Sequence, residues 1–392
     1  MTARNTARHT AKNTTPTGPL TMLLRQLRSD YLFLILLATL VALTAHAPAR
    51  ITGYVSLVDW PTIAALAGLL TLTKALELSG ALVRLGHALV ERLASERAVA
   101  IGLVLAAALL SMVLTNDVAL FVVVPLTLGV CRLSKLKPTR LIVFEALAVN
   151  AGSMLTPIGN PQNLFLWQLS GVSFGAFVRT MAPLVGLLMT LLLVLAALAF
   201  SGRAVTQSEQ GAPAAQGALD RPLMAVALLL YPVFLIATDV HFAGWALAGV
   251  LLVFIVMRRA VLAEVDWGLL LVFVLMFIDL RLIADLAVVK AAMARLGLGQ
   301  APHLYWASIA ASQVVSNVPA AIALAEYSKD WRVMAYGVNV GGFGLMIGSL
   351  ANLIALRLGR DRAAWWAFHL FSLPFLAIAA LAGQWLLFGL GD

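Results

Sequence analysis

The sequence predicts an all-α polytopic membrane protein made of two inverted-topology repeats, each with a re-entrant hairpin and a broken transmembrane helix. Three observations support this prediction: an apolar composition, sequence blocks that occur twice, and the placement of the basic residues. Hydrophobic residues fill 61% of the 392 positions, charged residues fill 11%, and the mean hydropathy is +0.95. Such a chain lacks the polar surface that a soluble globular protein needs.

The apolar segments are predicted to be helices, arranged in two repeats joined by a linker. Runs such as "LVGLLMTLLLVLAALAF" are too long and too uniform for the ten-residue alternation of an outer-membrane barrel. Residues 1–30 are polar and basic and are predicted to form a disordered tail. A first transmembrane repeat is expected at 31–200, a polar linker at 201–221, and a second, inverted repeat at 222–392.

Three sequence blocks recur in the same order. "VDWPTIAALAGLL" matches "VDWGLLLVFVLMF", and "LTNDVALFVVVPL" matches "VSNVPAAIALAEY" when Asn116 is set against Asn317. "VNAGSMLTPIGNPQNL" matches "VNVGGFGLMIGSLANL" at Asn150 with Asn339, at Asn163 with Asn352 and at Gly159 with Gly348. Three ordered matches indicate a duplicated unit.

The basic residues predict how each unit faces the membrane. Most lie in short runs between apolar segments, which sets orientation and argues against a nucleic-acid partner. Basic runs flank residues 98–130, and two full spans barely fit there, so a re-entrant hairpin with "TND" at its tip is expected. Counting crossings from a cytoplasmic N-terminus, the second hairpin, about 302–327 with "SNV" at its tip, enters from outside. The C-terminus is then external, and the expected location is the bacterial inner membrane.

The glycines, prolines and asparagines inside two apolar segments predict a binding site. Irregular backbone is tolerated at membrane depth only when it lines a cavity or is buried in protein. Gly159 and Pro161 are predicted to interrupt a helix, so that carbonyl groups become available to a cation and half-helix N-termini to an anion. Polar groups around the two breaks are supplied by Asn160, Gln162 and Asn163 and by Gly348, Ser349 and Asn352.

Four motifs resemble a known family. "SMVLTNDVALFVVVPL", "TPIGNPQNL", "SNVPAAIAL" and "MIGSLANL" are similar to the hairpin tips and broken helices of the ion transporter superfamily, in the branch of citrate-type carriers, arsenite permeases, divalent-anion symporters and certain sodium/proton antiporters. The resemblance implies substrate and ion contacts at Thr115, Asn116, Gly159, Asn160 and Asn163 and at Ser316, Asn317, Gly348 and Asn352. It also implies Na⁺ at Asn116, Asp117 and Asn163 and at Asn317 and Asn352, with no other cofactor.

The two hairpin tips depart from the resembling pattern. Asp117 and Val318 stand where the divalent-anion symporters carry a hydroxyl residue, and an Asn-Asp tip resembles the arsenite permease and antiporter branches. Asp117 is therefore predicted to bind an ion, with N-capping of the second hairpin helix as the alternative. The alternative for Asn116 and Asn317 is interhelical polar contact. Lys74 with Glu77, and Arg281 with Asp285, have the helical spacing of ion pairs.

The predicted function is secondary active transport of a small anion, an organic carboxylate or an inorganic oxyanion, by alternating access coupled to Na⁺ or H⁺. Cation/proton antiport, with Asp117 carrying the exchanged charge, is the alternative. An enzyme is disfavoured because the sequence has no H-E-x-x-H pair and no paired aspartates on adjacent spans. A channel would not need two opposed hairpins. The expected partners are the small ion, the lipid bilayer and, as an open question, a second copy of the chain.

Overall fold

The structure is a computed structural model that describes Leu27 and residues 30–90, 95–134, 136–204, 218–359, 361 and 364–389. Most of the predicted N-terminal tail and most of the predicted linker lie outside these residues. The described part is helical, and six of its helices are long and apolar enough to cross a membrane. These observations confirm an all-α polytopic membrane protein.

The described residues from 31 to 204 form eight α-helices and a 3₁₀ segment, Pro48–Leu57, after the first of them. In chain order the helices are α1 (Tyr31–His46), α2 (Trp60–Leu78), α3 (Ala81–Val90), α4 (Glu96–Val113), α5 (Asn116–Ser134), α6 (Pro138–Ser153), α7 (Pro161–Ser170) and α8 (Phe174–Ala199).

The second half contains ten α-helices among the described residues and a short 3₁₀ turn, Met346–Gly348. The helices are α9 (Arg221–Asp239), α10 (Ala243–Met257), α11 (Arg259–Glu264), α12 (Trp267–Ala284), α13 (Ala287–Arg295), α14 (Ala301–Val315), α15 (Asn317–Leu324), α16 (Trp331–Val340), α17 (Leu350–Gly359) and α18 (Ala364–Phe388).

The duplicated sequence blocks fold alike at their first residues. Asp59 accepts a hydrogen bond from the Thr62 amide at 3.0 Å and caps α2, and Asp266 accepts one from the Leu269 amide at 3.0 Å and caps α12. A carboxylate at this position satisfies an amide that has no partner inside its own helix. The aspartate of each "VDW" block therefore fixes where its helix begins.

A helix pair is present at both predicted hairpins, with nearly equal arms in the first and unequal arms in the second. α4 and α5 meet at Leu114 and Thr115, and α14 and α15 meet at Ser316. α15 has only eight residues, so at a rise of about 1.5 Å per residue it is far too short to cross a bilayer. α4 has 18 residues and is one of the six span-length helices, longer than the sequence suggested. The depth of the first hairpin in the membrane stays a prediction.

Both predicted helix breaks are also present. α6 ends at Ser153 and α7 begins at Pro161, and α16 ends at Val340 and α17 begins at Leu350. A Cβ atom on Gly159 would lie 2.3 Å from the Ser153 carbonyl oxygen, so only glycine fits this turn. The broken helix predicted at each site is thus two half-helices joined by irregular backbone, with Leu345 and Ile347 as the exposed residues of the second break.

Helix packing is preserved when the two halves are exchanged. α1 packs on α12 as α10 packs on α2, and α4 packs on α6 as α14 packs on α16. Between halves, α17 packs on α5 and α6 as α7 packs on α15 and α16. This pattern is the one that a duplicated unit predicts, while the inverted orientation of the halves in the membrane stays a prediction.

One of the two predicted ion pairs is confirmed. The Lys74 ammonium lies 2.6 Å from the Glu77 carboxylate. The Arg281–Asp285 pair is wrong, because the Asp285 carboxylate at the C-cap of α12 contacts Lys290 and Arg50 instead. Arg281 instead contacts Glu326, with 2.9 Å between Nε and Oε1.

Asp285 joins a different group of charges at the end of α12. Its carboxylate lies 2.9 Å from the Lys290 ammonium and 3.3 Å from the Arg50 guanidinium. The hydrogen bond from Lys290, with the positive charges of Lys290 and Arg50, holds the pKa of Asp285 below its usual value. These side chains are about half exposed, so solvent screens the pairs and they contribute little to stability.

Candidate functional site

The first hairpin tip contacts the first helix break. The Asn116 amide donates to the Gly159 carbonyl oxygen at 2.9 Å, and both Thr115 and Asn116 are buried. Asp117 follows in the first turn of α5. The structure therefore brings together the predicted site residues at "TND" and at the break.

Asn160 and Asn163 hold the first break in shape. The Asn160 side chain caps α7 by accepting from the Asn163 amide at 2.9 Å. The side-chain amide of Asn163 donates to three carbonyl oxygens of the break, at 3.1–3.3 Å from Nδ2, those of Ser153, Met154 and Thr156. The sequence predicted that carbonyl groups of the break are available to a cation. In this conformation these three accept hydrogen bonds from Asn163 instead.

Two asparagine pairs join the halves. Asn150 on α6 donates from Nδ2 to Asn352 Oδ1 at 2.7 Å, and Asn339 on α16 donates from Nδ2 to Asn163 Oδ1 at 2.6 Å. Both donors and both acceptors are separated by 189 positions (339 − 150 and 352 − 163), the offset of the third duplicated block. The same bond is therefore made twice, once by each half toward the other.

The two donor asparagines differ in their further contacts. Each also bonds the carbonyl oxygen four residues earlier in its helix, at 3.0 Å for Asn150 and 2.8 Å for Asn339. Asn339 Oδ1 accepts from Asn160 Nδ2 at 3.0 Å and from Gln162 Nε2 at 3.3 Å. Asn339 is thus the more connected of the pair, with all its contacts buried in the protein.

The second hairpin reaches the second break through Gln313. Its side-chain amide donates to the carbonyl oxygens of Gly341, at 2.5 Å, and Phe343, at 3.0 Å. Its Oε1 accepts from the Leu345 amide at 2.8 Å. Sequence reasoning missed Gln313, because its partners are backbone groups of a break whose path is visible only in the fold.

The remaining predicted residues of the second half surround this break. Asn352 donates from Nδ2 to the Gly342 carbonyl oxygen at 2.9 Å, which repeats the bond from Asn163 to Ser153. Ser349 accepts from the Ala351 amide at 3.3 Å at the start of α17. A Cβ atom on Gly348 would lie 2.7 Å from the Gly341 carbonyl oxygen, so the turn requires glycine.

The backbone at the second tip is strained. Ser316 has φ 73° and ψ 158°, a region that residues other than glycine rarely adopt and that costs about 1–3 kcal/mol. The Ser316 side chain lies 3.4 Å from Asn317 Oδ1, and no side chain among the described residues caps α15. The first backbone amides of α15 therefore keep their capacity to bind an anion.

The first tip carries polar atoms without partners. Asp117 Oδ1 and Thr115 Oγ1 are buried and accept no hydrogen bond from the described residues. The Asp117 amide donates to Asn116 Oδ1 at 3.0 Å, while the Asp117 side chain accepts no capping hydrogen bond from the described residues. The structure therefore does not contain the capping contact that was the alternative for Asp117. Polar side-chain contacts between helices of the two halves are made by Asn163 and Asn352, not by Asn116.

Two further buried carboxylates were not among the predicted site residues. Glu145 on α6 accepts a hydrogen bond from Thr127 on α5, while its Oε2 has no partner among the described residues. Both carboxylate oxygens of Asp279 on α12 lack partners in the same sense. The sequence did contain a signal for Asp279, since it is an ionisable residue inside the apolar run "LVFVLMFIDL". Charges within membrane-spanning segments are costly and usually functional.

The site thus combines two kinds of electrostatic group. Four helices, α5, α7, α15 and α17, begin at a tip or a break, and the N-terminus of a helix attracts negative charge. The unpartnered carboxylate of Asp117 attracts a cation, and Val318 stands at the matching position of the second tip. The two halves are therefore alike in backbone and unlike in charge.

Comparison with known proteins identifies the family. The family model described as Citrate transporter matches residues 20–335. The chain is 47% identical over 365 residues to the inner membrane protein YbiR of Escherichia coli (strain K12), covering 93% of this chain and 97% of that protein.

More distant relatives agree with this match. The chain is 34% identical over 261 residues to the uncharacterized transporter MJ0456 of Methanocaldococcus jannaschii, covering 66% of this chain and 70% of that protein. It is 26% identical over 343 residues to the uncharacterized transporter Rv2684 of Mycobacterium tuberculosis, covering 78% and 80%. With helix breaks, hairpins and family match in agreement, the chain belongs to the citrate transporter family and is a membrane transporter.

Proposed function

We propose that this transporter moves a small anion, an organic carboxylate or an inorganic oxyanion, across the bacterial inner membrane by alternating access, driven by Na⁺ or H⁺. The observation that carries the proposal is the inequality of the two tips. The first tip holds the unpartnered Asp117 carboxylate, and the second holds the uncapped N-terminus of α15. The name of the Escherichia coli relative, an inner membrane protein, supports the location.

The anion is supported by the second half. The backbone amides at the start of α15 and the neutral side chain of Asn317 supply donors without an acidic residue beside them. An anion bound there is stabilised by the helix N-terminus without the desolvation cost of a buried lysine or arginine. Glycine-rich backbone at the break allows the ligand to approach closely.

The coupling ion is supported by the first half. A buried carboxylate with an unpartnered oxygen gains free energy when Na⁺ or H⁺ neutralises it. The Thr115 hydroxyl, also without a partner, lies two residues away on the same tip and adds an uncharged oxygen for Na⁺. Binding of the cation at Asp117 and of the anion at the other tip then cancels much of the charge that must cross the membrane.

Alternating access is supported by the way each tip contacts its break. Asn116 contacts Gly159 through the backbone, and Gln313 contacts the Gly341 and Phe343 carbonyl groups. A movement of either hairpin changes the irregular backbone of the site in its own half. Occupancy and hairpin position are therefore linked, as a carrier requires.

Cation/proton antiport is the second candidate, and Asp117 favours it. A single carboxylate that binds either Na⁺ or H⁺ exchanges one for the other without an anion. The two candidates differ in whether an anion is required for ion movement.

Purified protein reconstituted into liposomes distinguishes these functions. Citrate is the first labelled probe, with phosphate and arsenite as competitors, under an imposed Na⁺ or pH gradient. Anion transport predicts saturable uptake and counterflow that requires one of the gradients. Antiport predicts Na⁺-induced proton release from acid-loaded vesicles in the absence of any added anion. Unsaturable flux, or neither activity across these probes, would overturn the carrier proposal.

A further inference from the structure

A cavity of about 500 Å³ lies between α8, α16 and the end of α18, away from the asparagine pairs. Its lining includes Arg179 and Thr180 on α8, Arg332 and Tyr336 on α16, and the apolar side chains Pro183 and Leu386. We propose that a phosphate group, carried by an anionic lipid or present as free phosphate, binds in this cavity between Arg179 and Arg332.

The two arginines are the basic side chains of this region that lack acidic partners. None of the ion pairs among the described residues includes Arg179 or Arg332. Arg50 and Lys290 near the predicted external face contact Asp285, and Arg281 contacts Glu326. Arg295 and Lys329 make no ion pair among the described residues either, but neither of them lines the cavity. Two exposed guanidinium groups lining one cavity create a positive site that no carboxylate of the described residues neutralises.

The cavity wall is held in place by contacts between α8 and α16. The Tyr336 hydroxyl donates to the Thr180 carbonyl oxygen at 2.9 Å. Beside it, the rings of Phe177 and Trp331 stack with centroids 5.3 Å apart. These contacts fix the spacing of the two helices, so the arginines are presented at a site that exists before any ligand binds.

The arrangement favours phosphate. A guanidinium group binds a phosphate through two parallel hydrogen bonds, and two such groups match its several oxygens and charge. α8 and α16 both begin close to the cavity, at Phe174 and Trp331, and their N-terminal ends add to the attraction. Pro183 and Leu386 offer an apolar wall to the glycerol and upper acyl chain of a lipid.

The test measures thermal unfolding of the full-length protein in detergent, with inorganic phosphate titrated at constant ionic strength. We expect the melting temperature to rise with the logarithm of phosphate concentration. Arg179→Gln and Arg332→Gln should each weaken apparent phosphate affinity about tenfold or more, the effect of one lost charged hydrogen-bond pair. Arg295→Gln is the matched control, since Arg295 is exposed near the same predicted face and does not line the cavity.

A second arm separates the two sources of phosphate. Wild type and variants are placed in nanodiscs of phosphatidylethanolamine, with or without a quarter of phosphatidylglycerol. Stabilisation by inorganic phosphate that depends on both arginines identifies a free phosphate site. Stabilisation by phosphatidylglycerol alone, again lost in both variants, identifies a lipid site. If neither probe stabilises the wild type, or if the variants respond as Arg295→Gln does, the proposal is wrong. Arg179→Lys and Arg332→Lys keep the charge and test the same outcome should a glutamine variant fold poorly.

Discussion

Asn339 donates its side-chain amide to Asn163 at 2.6 Å across the two halves, and at the matching position Asn150 donates to Asn352 at 2.7 Å. Asn339 also accepts from Asn160 and Gln162, whereas no such acceptor contact is made by Asn150 among the described residues. Two residues of the same type, at the same place in two repeats, therefore have unequal numbers of partners.

Asn339→Ala should destabilise the protein more than Asn150→Ala. The first substitution leaves several buried groups without partners, at a cost of about 1–3 kcal/mol for each unsatisfied group, and the second leaves fewer. Thermal or denaturant unfolding in one detergent measures both variants, and each serves as the other's control. Equal losses, or a larger loss for Asn150→Ala, would contradict the network as described.

Asp117→Asn should abolish gradient-driven transport, or reduce it at least about tenfold, with little change in folded yield. The tenfold figure corresponds to the loss of one charged contact. Because the Asp117 side chain makes no capping hydrogen bond to the described residues, Asp117→Ala should also fold. Val318→Ala, at the equivalent position of the second tip, controls for a general disturbance of a tip and should retain coupling.

Uptake in liposomes and monodispersity in size-exclusion chromatography are the two measurements for these variants. If Asp117→Asn transports normally while Asp117→Ala loses folded protein, Asp117 has a structural role. The ion site would then have to lie elsewhere, with Glu145 and Asp279 as the buried carboxylates to examine next.

Thr127 and Glu145 should be energetically coupled. Thr127→Val removes the hydroxyl that donates to the Glu145 carboxylate and leaves both its oxygens without a partner among the described residues. We expect a loss of about 1–3 kcal/mol in the wild-type background and a much smaller loss when Glu145 is already leucine. The four stabilities of this double-mutant cycle give the coupling free energy, and a value near zero would show that the contact contributes nothing.

Gly152→Ala should severely destabilise the contact between α4 and α6. A Cβ atom there would lie 2.4 Å from the Ala108 carbonyl oxygen and 2.6 Å from its Cα, so backbone would have to move. Gly186→Ala is the matched control, since Gly186 lies inside α8 with no atom within 4 Å of its Cβ position. That control should be neutral or gain up to about 1 kcal/mol. Comparable melting temperatures for the two variants would contradict the close packing of α4 on α6.

Cysteines at positions 135 and 329 should label from opposite sides of the membrane. The background is Cys131→Ser, because Cys131 is the only cysteine of the sequence. Lys329 is exposed beside α15, and Lys135 lies outside the described residues. Position 135 should react from the cytoplasm and position 329 from outside, because the second hairpin enters from the external face. Labelling of both from one side would end the inverted-repeat prediction.

Much of the fold was predictable because residues that interrupt or cap helices mark where the elements begin and end. Gly159 and Pro161 interrupt an apolar run and mark the first break, and the capping aspartates Asp59 and Asp266 mark two helix starts. Periodicity and composition therefore place elements well. They say less about length, and α4 is longer than the residue count between basic runs suggested.

The candidate site was predicted in part, for a physical reason. Asn163 and Asn352 stood out beside glycine and proline, but their partners Asn339 and Asn150 lie inside regular helices of the other half. Contacts across halves depend on helix packing that no local pattern encodes. The same limit explains Arg281, whose partner Glu326 is 45 positions away rather than one helical turn.

The exchanged asparagine bonds make the boundary between the halves isologous, the kind of surface by which two identical subunits meet around a two-fold axis. Each half presents one donor asparagine and one acceptor asparagine, so the contact surface of one half is complementary to a second surface of the same kind. A chain containing one half alone would carry both members of the contact and would find its match in a second, opposed copy of itself. Fusion into one polypeptide removes the need for two identical copies, and it lets one tip keep Asp117 while the other keeps Val318.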